Sequence, residues 1–169
     1  YYPIEKQMID ENGSYNFDLP TALNQEELEN DLGKLQSNQK IIVKEYNFNA
    51  PIKKHVFITI EPSEIILVEG LFLFYYKGVR SKLDFSVFID VDPQTQLDRR
   101  LYRDQETRGY SRDGILYQWQ KHVIPCYQKY LLPFKDDADF HFRNDSNSDQ
   151  DFKILVKEIA IRIEQAKIC

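Results

Sequence analysis

An α/β domain with a mostly parallel sheet is the fold class this sequence predicts, and three observations predict it. Apolar runs of strand length alternate with segments of helical period. One run, Ile65-Ile66-Leu67-Val68, is aliphatic throughout, as expected of a strand buried on both faces of a parallel sheet. Asp92-Pro93 joins a second run to a helical pattern, supplying an N-cap and then a residue pre-set for the first helical position. The 169 residues are enough for one domain with a sizeable core, and 1–169 is read as a single domain.

In chain order, residues 3–20 are polar and turn-rich, with Asn12-Gly13 as a turn signal. Leu23, Leu28, Leu32 and Leu35 recur at near-helical spacing between Thr21 and Gln36, and Thr21 or Asn24 can cap. Two extended runs, Ile41 to Phe48 and His55 to Ile60, are split by Asn49-Ala50-Pro51 and read as a β-hairpin over 41–60. After the aliphatic run, Asp84 to Asp90 forms a strand and a helix extends from Pro93 to about Arg108, where Gly109 breaks it. Ser111 caps a helix running towards Val123 that Pro125 interrupts. Ala138 to Phe142 is the last strand. A helix from about Asp151 to Lys167 then carries Phe152, Leu155, Ile159 and Ile163 on one face.

Composition narrows the function classes. A chain 42% apolar and 29% charged is that of a soluble globular protein, and its longest apolar run, Leu71 to Tyr76, is far short of a membrane span. The net charge of −5 argues against nucleic acid as a partner. Cys126 and Cys169 show no metal-ligand spacing, so a reduced, cytoplasmic setting is the simplest expectation. Against the acidic average, five of the eight arginines (Arg99, Arg100, Arg103, Arg108 and Arg112) fall within 14 residues. Such a concentration of guanidinium groups marks a candidate site for a compact anion.

Strands of an α/β sheet present ligands at their carboxyl ends, here Glu69-Gly70 and Asp90-Val91-Asp92. Glu69, leaving a buried strand, needs a cation or donor to receive it, and Mg²⁺ with its water shell is one such receiver. A cap or an arginine partner is the plainer alternative. Arg100 and Arg103 share a helix face and Arg108 ends the same helix, a crowding of like charge that an anion relieves. For Arg99 and Arg112 ordinary surface pairing is expected, and an exposed Arg100–Asp104 pair would be worth only about 0.3–0.5 kcal/mol. Phe17-Asp18 and Tyr46-Asn47-Phe48 place aromatic and polar groups in loop or hairpin positions, where cross-strand packing is the commoner use. His55, His122 and His141 are scattered and read as structural. Gly33-Lys34 is no Walker A loop, since Leu28 and Leu35 stand where a glycine and a Ser or Thr are required.

Taken together, Tyr15-Asn16-Phe17-Asp18-Leu19-Pro20, Tyr46-Asn47-Phe48, Ile66-Leu67-Val68-Glu69-Gly70-Leu71 and Phe88-Ile89-Asp90-Val91-Asp92 resemble the uridine kinase family. Arg99-Arg100-Leu101-Tyr102-Arg103-Asp104 and Thr107-Arg108-Gly109 are similar to its arginine-rich lid, and Pro133 with Ala138-Asp139 to the approach to its last core strand. The resemblance implies a P-loop NTPase fold of the nucleoside-monophosphate-kinase kind. That fold has three layers around a parallel sheet, a β-hairpin substrate region at 41–60 and a helical lid at 93–120. It implies transfer of the γ-phosphate of ATP (or GTP), with Mg²⁺, to the 5′-hydroxyl of uridine or cytidine, a pyrimidine-salvage step. Carried over by position, Asp18 would hold the ribose hydroxyls, with Phe17, Tyr46 and Phe48 around the base and Tyr2 and Gln118 beside the nucleoside. Glu69 would serve the magnesium, and Arg100, Arg103 and Arg108 would contact substrate or phosphates. Family members often assemble, so a homo-oligomer stays open.

Four departures accompany the match. The family's first strand, Walker A loop, general-base aspartate and first helix would all precede Tyr1, so an incomplete N-terminal part is expected. Pro51 is nearest to the position where the pyrimidine kinases carry a histidine, and Asn47 stands where Asp is common. Arg108-Gly109-Tyr110-Ser111 is closer to the lid of phosphoribulokinase-like relatives. Two alternatives to a pyrimidine nucleoside kinase follow: a kinase of another small hydroxylated metabolite, or a catalytically inactive nucleotide-binding relative.

Overall fold

The computed structural model describes residues 7–45, 56–145 and 148–166. The chain divides into two compact units, one formed by 1–83 with 126–131 and the other by 84–125 with 132–169.

In the first unit, Met8–Ile9 (β1) and Tyr15–Asn16 (β2) pair antiparallel around Gly13, whose φ of +78° suits a residue without Cβ. Asp10 accepts from the backbone N–H groups of Asn12 and Ser14 and fixes the turn. Sequence reasoning found this turn but not its strands, which are only two residues each. After a 3-10 turn at Pro20–Ala22 comes helix α1, Gln25–Gln36. Asn24 is its cap, accepting from the Glu27 N–H at 3.3 Å, and Thr21 is not. Gly33 and Lys34 lie inside this helix, with Lys34 paired to Asp31 at 2.8 Å. Ile41–Lys44 (β3) and Phe57–Ile60 (β4) pair antiparallel, Ile41 opposite Ile60. The tip between them lies outside the described residues, and with it Tyr46, Phe48, Pro51 and His55.

The aliphatic run from Ile65 to Val68 is not a strand. It has no ladder partner among the described residues, and Leu67 is 93% exposed. A central parallel strand is held by hydrogen bonds to neighbours on both edges, and hydrophobicity alone does not supply them. Phe72, Tyr76 and Val79 from the following turns and helix α2 (Lys77–Arg80) bury themselves instead, with Leu32 and Cys126, as the core of this unit. The Tyr76 hydroxyl donates to the Pro20 carbonyl at 2.5 Å, tying α2 to the 3-10 turn.

In the second unit, Val87–Asp90 (β5) and Phe140–Arg143 (β6) run parallel, with Val87 opposite Phe140 and Asp90 opposite Arg143. Both strands are shorter or later than the sequence suggests, Asp84–Ser86 and Ala138–Asp139 forming a clasp at their beginning. Ser86 donates its N–H and hydroxyl to Asp139 at 2.9 and 2.7 Å, and the Asp139 N–H returns a bond to the Ser86 hydroxyl. These bonds, with burial opposing and Arg162 assisting, hold the Asp139 carboxyl below its ordinary range. Helix α3 spans Pro93–Glu106, and Asp92 caps it by accepting from the Thr95 N–H at 2.9 Å. Helix α4, Arg112–Gln118, is capped by Ser111.

Pro125 does not end the helical run. A π-helical turn at Trp119–Val123, the short helix α5 (Ile124–Cys126), another π turn at Tyr127–Leu131 and a 3-10 turn carry it to Asp137. Widened turns on either side change which carbonyl each N–H uses, and the proline is accommodated where a regular α-helix would break. Helix α6, Ser148–Ala166, half-buries Leu155, Ile159 and Ile163, whereas Phe152, expected on that face, is exposed.

Candidate functional site

The second unit brings the arginines together by its local signals. Asp92-Pro93 starts α3 so that Arg100, Arg103 and Asp104 fall in its last two turns. Beyond its end Gly109 takes φ +69° and the Tyr110 N–H returns to the Asp104 carbonyl at 3.1 Å, closing a tight corner. Ser111 accepts from the Gly114 N–H and starts α4, which places Gln118 beside Arg100.

At this corner three of the predicted site arginines converge on one carboxylate. Arg103 Nε donates to Asp104 Oδ1 at 2.7 Å, Arg108 Nη1 donates to the same oxygen at 3.1 Å, and Arg100 Nε lies 3.4 Å from Oδ2. Arg100 Nη2 also donates to Gln118 Oε1 at 3.1 Å. Asp104 is fully buried, while the side chains of Arg100, Arg108 and Arg103 are 19%, 34% and 52% exposed. Burial alone raises the Asp104 pKa. The hydrogen bond from Arg103 and the charges of Arg103, Arg100 and Arg108 outweigh it and hold the carboxyl below the usual aspartate range. Three guanidinium groups and one carboxylate leave a net charge of +2 in a chain whose net charge is −5.

This corrects the surface-pair value expected for Arg100–Asp104. A fully buried carboxylate stripped of its partners costs about 3–5 kcal/mol, an order of magnitude above an exposed helical pair. Asp104 was legible only in part. Arg100 and Arg108 stand four residues before and after it, a helical spacing, and Arg103 is its immediate neighbour, but only tertiary burial makes it their common partner. Arg99 and Arg112 are exposed.

The remaining predicted residues fall elsewhere. Phe17 and Asp18 lie in the first unit, Phe17 exposed with its ring 6.0 Å from Tyr15 and Asp18 half-buried. The Asp18 N–H donates to Asn16 Oδ1 at 3.0 Å. Burial, reinforced by the charge of Asp18, pushes the Cys126 thiol up to about 12. Glu69 is exposed on an irregular segment of the first unit, so the expectation of a carboxylate emerging from a buried strand is corrected along with that strand. Tyr2, Tyr46 and Phe48 lie outside the described residues. His122 is buried and its ring stands 5.8 Å from Tyr117, while His141 Nε2 bonds the Lys135 carbonyl. Lys135 pairs in turn with Asp90 at the carboxyl end of β5, a contact across 45 residues with no short-range signal.

Among the described residues no group of three His, Cys, Asp or Glu side chains could hold a metal ion by itself. Mg²⁺ does not require one, since it commonly takes one or two carboxylates and completes its shell with phosphate oxygens and water. Glu69 fits that limited part, being an exposed hard-oxygen donor. No described helix is long and apolar enough to cross a membrane.

Comparison with known proteins identifies the family. Residues 2–151 match the model of the Phosphoribulokinase / Uridine kinase family. Uridine-cytidine kinase B of Dictyostelium discoideum is 32% identical over 165 residues, covering 98% of this chain and 68% of that protein. Uridine kinase of Lactobacillus helveticus is 29% identical, covering 96% of the chain and 75% of its own length. Uridine kinase-like protein 5 of Arabidopsis thaliana is 28% identical over the whole chain, which spans only 36% of that relative.

Proposed function

Because the chain belongs to the phosphoribulokinase / uridine kinase family, we propose that it is the acceptor-binding and arginine-bearing part of a pyrimidine nucleoside kinase. The whole protein transfers the γ-phosphate of ATP to the 5′-hydroxyl of uridine or cytidine on a P-loop NTPase fold. The observation that carries this reading is the cluster of Arg100, Arg103 and Arg108 on buried Asp104, a fixed excess of positive charge in an acidic chain.

The chemistry asked of such a cluster is positioning and neutralisation of charge. In-line phosphoryl transfer spreads negative charge over the equatorial oxygens, and one well-placed arginine contributes about 10³–10⁵ in rate. Arg103 and Arg108 reach solvent and would contact the phosphates, while Arg100, anchored by both Asp104 and Gln118, sets the base of the cluster. Asp18 would accept hydrogen bonds from the ribose hydroxyls, with Phe17, Tyr46, Phe48 and Tyr2 forming the walls around the nucleoside. Glu69 would hold Mg²⁺, which would supply neutralisation of phosphate charge there.

Nucleoside-dependent release of ADP by the whole protein, with Mg²⁺ and either uridine or cytidine, tests the reading. Turnover with at least one of the two is expected, and no turnover with either rejects a pyrimidine kinase. The Arg108-Gly109-Tyr110-Ser111 run supports a second reading, a kinase of another small hydroxylated metabolite. A panel of sugar phosphates run beside the nucleosides separates the two.

A further inference from the structure

We propose that Asp104 is a positioning residue whose buried carboxylate gathers Arg100, Arg103 and Arg108 into one preassembled dication that receives a polyphosphate. This deepens the kinase reading and rests on it. Three features of the corner carry the inference. A buried carboxylate is satisfied by one well-placed guanidinium, yet Asp104 has three within 3.4 Å, two from α3 and Arg108 from just past its end. Like charges held this close repel, and the chain tolerates them only because the carboxylate lies between them. Arg103 uses Nε on Asp104, so its terminal amino groups have no protein partner among the described residues and its side chain is half exposed.

The third feature is a gap. Arg100 Nε and Asp104 Oδ2 are both buried, stand 3.4 Å apart, and neither has a hydrogen-bond partner among the described residues. The clamp is one hydrogen bond short of closed, with Arg100 held on its other side by Gln118. Asp104 also accepts the Tyr110 N–H through its main-chain carbonyl, so one residue sets both the backbone of the corner and the side chains on it.

Charge and position predict opposite signs when Asp104 is replaced. Asp104→Asn keeps the side chain's shape and removes the negative charge. If net charge alone mattered, the variant would bind a polyanion more tightly; if Asp104 positions the arginines, they spread apart and binding weakens. Calorimetric titration of inorganic tripolyphosphate into the whole protein, wild type and D104N, reads this directly, with kcat and KM measured alongside. We expect the tripolyphosphate affinity to fall about tenfold or more. With it, kcat should fall while KM for the nucleoside is unchanged. Equal or tighter binding by D104N overturns the proposal, as does failure of the wild type to bind tripolyphosphate. A merely structural role would lower Tm and the active fraction and leave Kd and KM alone, and that result overturns it too. Wild type that binds tripolyphosphate but turns over no nucleoside rejects the kinase reading, and the affinity difference still judges Asp104. Should D104N not fold, Gln118→Leu carries the test: it frees Arg100 from its second anchor. Weaker tripolyphosphate binding is then expected and unchanged binding overturns the idea.

Discussion

Tyr76→Phe removes one atom from the core of the first unit, and its cost can be worked from the structure. Tyr76 is buried among Phe72, Leu32, Val79 and Cys126, and its hydroxyl donates to the Pro20 carbonyl at 2.5 Å. Phenylalanine keeps the ring and its tilted contact with Phe72, 6.0 Å between centroids, so packing is nearly unchanged. The carbonyl left behind still accepts from the Leu23 N–H at 3.3 Å and is not fully orphaned. The expected loss is therefore the bond itself plus part of a desolvation penalty, about 1–2 kcal/mol. For a chain of this length each kcal/mol lowers Tm by about 2–4 °C, so a fall of about 2–8 °C is expected. Urea denaturation followed by circular dichroism measures the free energy, with exposed Tyr102→Phe as a control that should change nothing. A loss below about 0.5 kcal/mol for Tyr76→Phe, the low end for one buried bond, would refute the reasoning.

Three further outcomes follow from the same geometry. Gly109 holds φ +69° with no atom within 4 Å of an added Cβ, so Gly109→Ala introduces backbone strain without a clash. It should cost about 1–2 kcal/mol, and Gly109→Asn less because Asn tolerates that conformation; equal losses for the two contradict this. Asp104 has a depressed folded-state pKa, so its stabilisation is complete above the unfolded value near about 3.9 and is lost as pH falls through the folded value. The stability gap between wild type and D104N should accordingly be constant near neutrality and close in acid, as urea midpoints measured against pH will show. Cys126, buried and pushed up to about 12, should in a Cys169→Ser background react with a disulfide reagent at pH 8 only as fast as the protein opens. Labelling at the rate of a free thiol would show that the site is not closed.

Much of this protein is written locally. Asp92-Pro93, Ser111 and Asn24 start helices where those residue types should, because a side-chain oxygen satisfies an orphan N–H within its own turn. Gly109 ends α3 because φ +69° favours a residue without Cβ. The gathering of arginines is visible as a close spacing, with Arg100 and Arg103 on α3 and Arg108 just past its end, and the ordered motifs suffice to indicate the family.

What the chain does with groups far apart in sequence was decided only by folding. Ile65 to Val68 has the composition of a buried strand, but a strand exists only where partners accept its backbone bonds, and none of the described residues does. Pro125 carries a breaker's signal, yet π turns on both sides carry the helix past it. Tyr76 reaches Pro20 across 56 residues, Ser86 meets Asp139 across 53, and Lys135 meets Asp90 across 45, none of which a local pattern encodes. Asp104 shows the division within one residue. Its spacing to three arginines is sequence, but the strength of their attraction depends on how far water is excluded, and burial is a property of the packed corner alone.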